Sequence, residues 1–287
     1  MARLLELVLA PLRYSFMVRG LSAAIIVGVV CAVVGTYVVL RGMAFFGDAL
    51  AHAILPGLAV GYLVNGSARG PLFWWALGTA ILTSLGIGAV ARGTRVKEDT
   101  AIGIIFAGMF ALGVALISTQ RSYSVDLAHF LFGDILGVSG ADLVRTAAFG
   151  ALILALMVAF HKEFVVLAFD PVLAATLRLP AKLLEHLLLV LIAVTVVVSL
   201  QTVGVTLMVA MLVTPPACAY LLTRRLPVLM LLAALIAAGS GVVGIYLSYY
   251  ANIASGASIV LTCTACFGMV WAVQTLRERR MRARSRN

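Results

Sequence analysis

Charge is what this chain has least of. Only 11% of its 287 residues are Asp, Glu, Lys or Arg, against 63% hydrophobic, and the mean hydropathy is +1.12. Soluble domains carry about 25% charge and roughly 45–50% apolar residues. A water-soluble fold of this composition could not cover its own surface, so lipid is the solvent. No polar stretch is long enough for a separate soluble domain, and the chain reads as one transmembrane domain over residues 1–287. Phosphate-binding and hydrolytic motifs are missing as well: there is no G-x-x-x-x-G-K-[ST], no G-x-S-x-G and no H-E-x-x-H. If ATP drives this protein, a separate subunit binds it, and the chain itself is not an enzyme.

Cysteine is sparse too. Cys31, Cys218, Cys263 and Cys266 all lie in apolar runs, where they act as small hydrophobes. Cys263 and Cys266 have metal-ligand spacing, but two further ligands are lacking nearby. The N-terminus has no clean secretory pattern, because Arg3, Glu6, Arg13 and Arg19 interrupt it. Residues 1–20 read instead as an interfacial segment.

What is present is a series of apolar runs of spanning length. They lie near 21–40, 43–64, 71–91, 101–119, 143–161, 183–200, 202–222, 226–249 and 256–274, an all-α polytopic protein of eight to nine helices. The least distinct division falls at Gln201 and Thr202, where two spans join with almost no loop. The net charge of +10 resembles a nucleic-acid signal, but six of the 21 bases crowd residues 277–287, directly after the last run. That is a cytoplasmic anchor facing anionic headgroups and argues against nucleic acid. With the C-terminus inside, fifteen bases face the cytoplasm and six face out, as the positive-inside rule requires.

Two connecting stretches differ from ordinary loops. Residues 120–142 are too polar for a free span and too apolar for a solvated loop, which fits a re-entrant or cavity-lining segment. Residues 163–182 contain Asp170-Pro171, a helix N-cap followed by proline at the first position, and Pro180 after the run ends. A short cytoplasmic helix parked between two spans looks like a docking element.

Ionisable groups at depth cost about 2.5–3.5 kcal/mol each on insertion scales, so those retained there are informative. Asp48 and His52 stand four apart in RGMAFFGDALAHAILPG and share a helix face. Counting helical rise from Arg41 puts Asp48 roughly 10 Å deep and His52 near 16 Å. A carboxylate beside a neutral imidazole forms half a coordination sphere for a first-row divalent cation. A proton relay or a plain buried ion pair is the alternative. Asp126, His129 and Asp134 either line an entrance and complete that sphere, or cap helices at the surface. Asp142 reads as an N-cap, His161 and His186 as interfacial, and Glu98-Asp99 as acids favouring a helix N-terminus. Gly57 and Gly61 form a small-xxx-small pattern for close helix contact.

The segments VGTYVVLRGMAFFGDALAHAILPG, KEDTAIGIIFAGMFALG, SVDLAHFLFGDILGVS, FDPVLAATL and VGVTLMVAMLVTPPACAYLL occur in this order. Together they resemble the permeases of bacterial manganese, zinc and iron ABC importers, over about residues 20–275. The resemblance implies a bacterial plasma-membrane permease dimer, possessing no permanently bound cofactor, with two cytoplasmic ATPase subunits and an extracytoplasmic metal-binding protein as partners. It implies metal passage near Asp48 and His52, with manganese favoured over zinc or iron. It also makes residues 170–180 the coupling helix that seats in the ATPase, with Asp170, Pro171, Ala174, Arg178 and Pro180 as its marked positions. The family usually has glycine where this chain has Arg178. The rival readings are a proton-coupled secondary metal transporter and a membrane scaffold subunit.

Overall fold

A computed structural model describes residues 9–65, 69–119, 135–169 and 180–284. Among these the chain is all-helical: α1 (Ser15–Leu40), α2 (Phe46–Ala53), α3 (Leu55–Asn65), α4 (Arg69–Gly93), α5 (Glu98–Ser118), α6 (Gly140–Ala159), α7 (His161–Phe169), α8 (Ala181–Val203), α9 (Val205–Leu222), α10 (Leu226–Ala251) and α11 (Ser255–Arg284). With α2 and α3 taken end to end, nine stretches among the described residues are long and apolar enough to cross a bilayer. The protein is a multi-pass membrane protein.

The spans read from sequence recur within a few residues, and the differences have physical causes. α1 starts at Ser15, earlier than the apolar run, because Met17 and Gly20 are already buried. α8 and α9 divide at Gly204, not at Gln201 or Thr202. Gly204 has φ +82° and ψ 170°, a conformation essentially confined to glycine, so one residue serves as the whole connection. The run 43–64 is not one helix: it is interrupted at Ile54. Pro56 has no N–H to offer the carbonyl of His52 four residues back, and that loss breaks the helix.

α1 is the central staff of the bundle, packed against α6, α8, α9 and α10. Most of its membrane-length window, 72%, is buried, against 17% for α5 and for α11. Its closest approach is to α9. Pro215 and Pro216 lie inside α9, and Pro216 cannot donate to the Leu212 carbonyl. α1 presents Gly35 at that carbonyl: a Cβ there would sit 1.8 Å from Leu212 O. The same leucine's side chain lies against Gly47 of α2, where an added Cβ would meet Cδ2 at 2.5 Å. Leu212 therefore sets the spacing of α1, α2 and α9 together. Gly57 and Gly61 bring α3 against Trp75 and Thr79 of α4, the close helix contact their spacing indicated.

Overpacking a tight core costs roughly 1–3 kcal/mol or more. Gly35→Val should therefore lower the melting temperature of the detergent-purified protein sharply or abolish its recovery. Gly78→Ala, where an added Cβ meets nothing within 4 Å, should leave it unchanged or slightly raised.

Candidate metal-ion path

The site begins at the turn that ends α1. Arg41 is the C-cap, Gly42 takes φ +71°, and Met43 N and Gly42 N donate to Val38 O and Val39 O at 3.0 and 3.1 Å. These are the paired bonds of a Schellman motif, which needs a left-handed residue at Gly42. Met43 is buried beneath the turn. Phe46 N then donates to Met43 O at 2.9 Å, and α2 starts. Because residues 41–45 form this turn, helical rise does not apply from Arg41 onward. The depth read from sequence for Asp48 and His52 is therefore an overestimate of the chain's advance.

α2 is buried on all sides but one. Phe46, Ala49, Leu50, Ala51 and Ala53 are at most 1% exposed, packed by α4, α5, α8 and α9. Asp48 and His52 share the remaining face, with side chains 37% and 32% exposed and His52 Nδ1 3.8 Å from Asp48 Oδ1. His52 Nδ1 also lies 3.0 Å from the backbone carbonyl of Asp48. A carbonyl only accepts, so Nδ1 carries a hydrogen, and in the neutral imidazole the lone pair is on Nε2. Phe106 and Phe110 of α5 stand edge-on to the imidazole at centroid distances of 6.3 and 6.2 Å, and Phe45 packs on Phe106 at 5.9 Å. An imidazole held in this orientation beside a carboxylate, opening from an aromatic wall, can ligate a divalent cation through Nε2 in its neutral form.

The structure brings Asp48 and His52 together, as their spacing requires. Among the described residues no cluster of three or more His, Cys, Asp or Glu gathers to hold a metal. Asp126, His129 and Asp134 lie outside the described residues, as do Asp170, Pro171, Ala174 and Arg178. Pro180 is the residue capping α8. Of the segment 120–142, residues 135–137 form a single 3-10 turn whose Leu136 rests against Gly20 of α1, and α6 begins at Gly140. Asp142 is not the N-cap. Ser139 holds that position: its Oγ accepts from Asp142 N at 3.1 Å and donates to Asp142 Oδ2 at 2.6 Å, a side-chain N-cap.

One cluster was not legible from motif reading. Arg41 Nη2 donates to Glu98 Oε1 at 2.9 Å and to Glu185 Oε1 at 3.0 Å. Glu185 Oε2 in turn lies 3.1 Å from Arg92 Nη1, and Arg92 Nη2 donates to His186 Nε2 at 2.8 Å. His186 Nδ1 donates to the carbonyl of Lys182. Glu98 is in the first turn of α5, as the acid-at-N-terminus reading had it, and it has this second task as well. The only signal in the sequence is that two acids stand among bases near span ends.

A polytopic helical membrane protein with an acid–histidine pair on an interrupted helix is a transport permease in form. The sequence pattern of the ABC 3 transport family matches residues 13–274, and the chain belongs to that family. It is 45% identical over 260 residues to the manganese transport system membrane protein MntC of Halalkalibacterium halodurans, spanning 91% of this chain and 88% of the relative. It is 40% identical over 271 residues to a Haemophilus influenzae protein named a probable iron transport system membrane protein, spanning 94% and 98%. It is also similar to a chain in the structure of PsaBC from Streptococcus pneumoniae in complex with Fab, with 36% identity, a TM-score of 0.79 and coverage of 93% and 95%.

The left-handed turn aims α2. Gly42→Ala forces an L side chain into that region at a cost of about 1–2 kcal/mol. The expected result is a lower melting temperature for the variant, while Gly103→Ala, in open space on α5, melts like the parent.

Proposed function

We propose that this chain is the permease of an ATP-driven importer and carries a divalent transition metal ion, manganese before iron or zinc, across the bacterial plasma membrane by alternating access. The observation that carries this reading is the His52 tautomer. With Nδ1 committed to the Asp48 carbonyl, Nε2 and the Asp48 carboxylate are the free donors on an otherwise buried helix. A mixed carboxylate and imidazole pair without thiolate suits manganese, iron and zinc. The two relatives named above, one for manganese and one for iron, favour the same group of ions.

Two ligands hold an ion only moderately, which suits a permease that must release it. The remaining donors come from water, from Asp126, His129 and Asp134, or from a second copy of the chain. α5, whose Phe106 and Phe110 flank His52, supports the last source: Ile104, Phe110, Leu112 and Val114 of this helix are exposed, and a permease dimer would cover part of that surface. A cytoplasmic ATPase would dock on residues 170–180, and an extracytoplasmic metal-binding protein would deliver the ion. The C-terminus lies in the cytoplasm on this reading, with α11 carrying its arginines beyond the bilayer. No permanently bound cofactor is needed, and the ATP site belongs to the partner.

The test is radiolabelled manganese uptake into proteoliposomes holding the permease, its ATPase and its binding protein. Uptake should require ATP, and Asp48→Ala and His52→Ala should each reduce it by at least about tenfold, since even outer-shell partners of a bound metal are worth that much. ATPase attachment should survive in both. Normal uptake by the variants would make the pair structural, and uptake on a proton gradient without ATP would favour the secondary-transporter reading.

A further inference from the structure

The segment proposed to meet the ATPase is flanked by α7 and α8, and both are tied to the last turn of α1. On the α7 side, Tyr37 is fully buried. Its hydroxyl lies 3.3 Å from His161 Nδ1, and its ring meets Phe164 edge-on at 5.8 Å. On the α8 side, Glu185 stands five residues beyond Pro180 and bonds Arg41, the C-cap of α1. Arg41 is 14% exposed and Glu185 18%, so neither charge is screened as a surface pair would be. Seven residues beyond Arg41, through a turn fixed by its own hydrogen bonds, comes Asp48.

Arg41 does more than join two helices. The same Nη2 also bonds Glu98 at the start of α5, the helix whose Phe106 and Phe110 flank His52. The guanidinium thus touches the second turn of the helix leaving the ATPase-facing segment and the first turn of the aromatic wall, and it caps the helix whose final turn aims α2. Its Nη1 is buried with no hydrogen-bond partner among the described residues, and so is Glu163 Oε2 on α7.

We propose that Arg41 is a positioning residue for transport: its bond to Glu185 links movement of the ATPase-facing segment to the aim of Asp48 and His52 and to the α5 wall beside them. This rests on the ATP-driven reading above. Breaking the Arg41–Glu185 bond would let α8 move without redirecting α2, so ATP would be spent without a matching ion transfer. A bond that merely braces the fold would instead change how much complex assembles and leave the ratio of hydrolysis to transport alone.

The experiment is the number of ATP molecules hydrolysed per manganese ion moved, in proteoliposomes of the full complex, with assembled complex and melting temperature measured in parallel. Glu185→Gln keeps the shape and one acceptor but loses the charge, and Arg41→Gln removes the guanidinium. Each should raise the ratio by at least about fivefold, the lower end of ordinary site-to-site coupling. Combining them should raise the ratio no further than the larger single effect, because the Arg41–Glu185 bond is the one both remove, while the Arg41–Glu98 and Glu185–Arg92 contacts that each also weakens act on the ratio in neither. Asp142→Asn, at the Ser139 cap, should leave the ratio as in the parent. If Arg41→Gln fails to assemble, Glu185→Gln alone decides. A parental ratio in Glu185→Gln, with hydrolysis and transport falling together or both intact, overturns the positioning role. A parent complex that moves no manganese with ATP overturns the transport reading first, and the positioning role with it.

Discussion

Hydrocarbon offers no hydrogen bonds, and every polar group taken into it must find a partner within the protein. The helices of this chain meet that demand almost wholly from within. Thr36 and Thr195 return their hydroxyls to the carbonyls of Ala32 and Leu191, one turn back. Thr146 and Thr202 bond each other at 2.7 Å across the interface of α6 and α8, and Cys31 faces Ser199 at 3.3 Å. Where proline frees the Leu212 carbonyl, the side-chain-free Gly35 closes over it. Against that economy, Asp48 and His52 are exceptional. They are ionisable, and they face outward from a helix whose other residues are sealed.

The same constraint explains why α2 is short. α2 carries its acid–histidine pair on one open face, and its direction is set at both ends. The Schellman turn at Gly42 sets one end and the proline-induced interruption at Ile54 sets the other. Leu212, wedged between Gly35 and Gly47, holds the element laterally. Nothing in this arrangement depends on a long rigid span, and the short helix takes its direction from its origin. That origin is Arg41, whose partners belong to α5 and α8.

Much of this was legible in the sequence. Span positions follow from runs of apolar residues, a local property that burial in any partner helix preserves, so the helices fall where hydropathy places them. The Asp48–His52 pair was legible because four-residue spacing is itself a contact on a helix. Three things were not legible, each for a physical reason. The interruption at Ile54 depends on one missing N–H at Pro56, and proline at that position is tolerated in many membrane helices. The division at Gly204 rests on a backbone angle that composition does not reveal. The Arg41–Glu185 bond joins residues 144 apart in sequence, and no local pattern encodes which acid a given arginine will meet. Asp142 shows the limit within a single turn: an acid near a helix start was correctly read as a terminus signal, but Ser139, three residues earlier, is the cap.

On the proposed function, His52 presents Nε2 to the transported ion. The most direct measurement is pulsed electron paramagnetic resonance of manganese bound to the purified complex, reading nitrogen modulation from a coordinated imidazole. The expected result is a nitrogen signal that disappears in His52→Ala and persists in His161→Ala. A signal that survives His52→Ala, or bound manganese with no nitrogen signal at all, would contradict it.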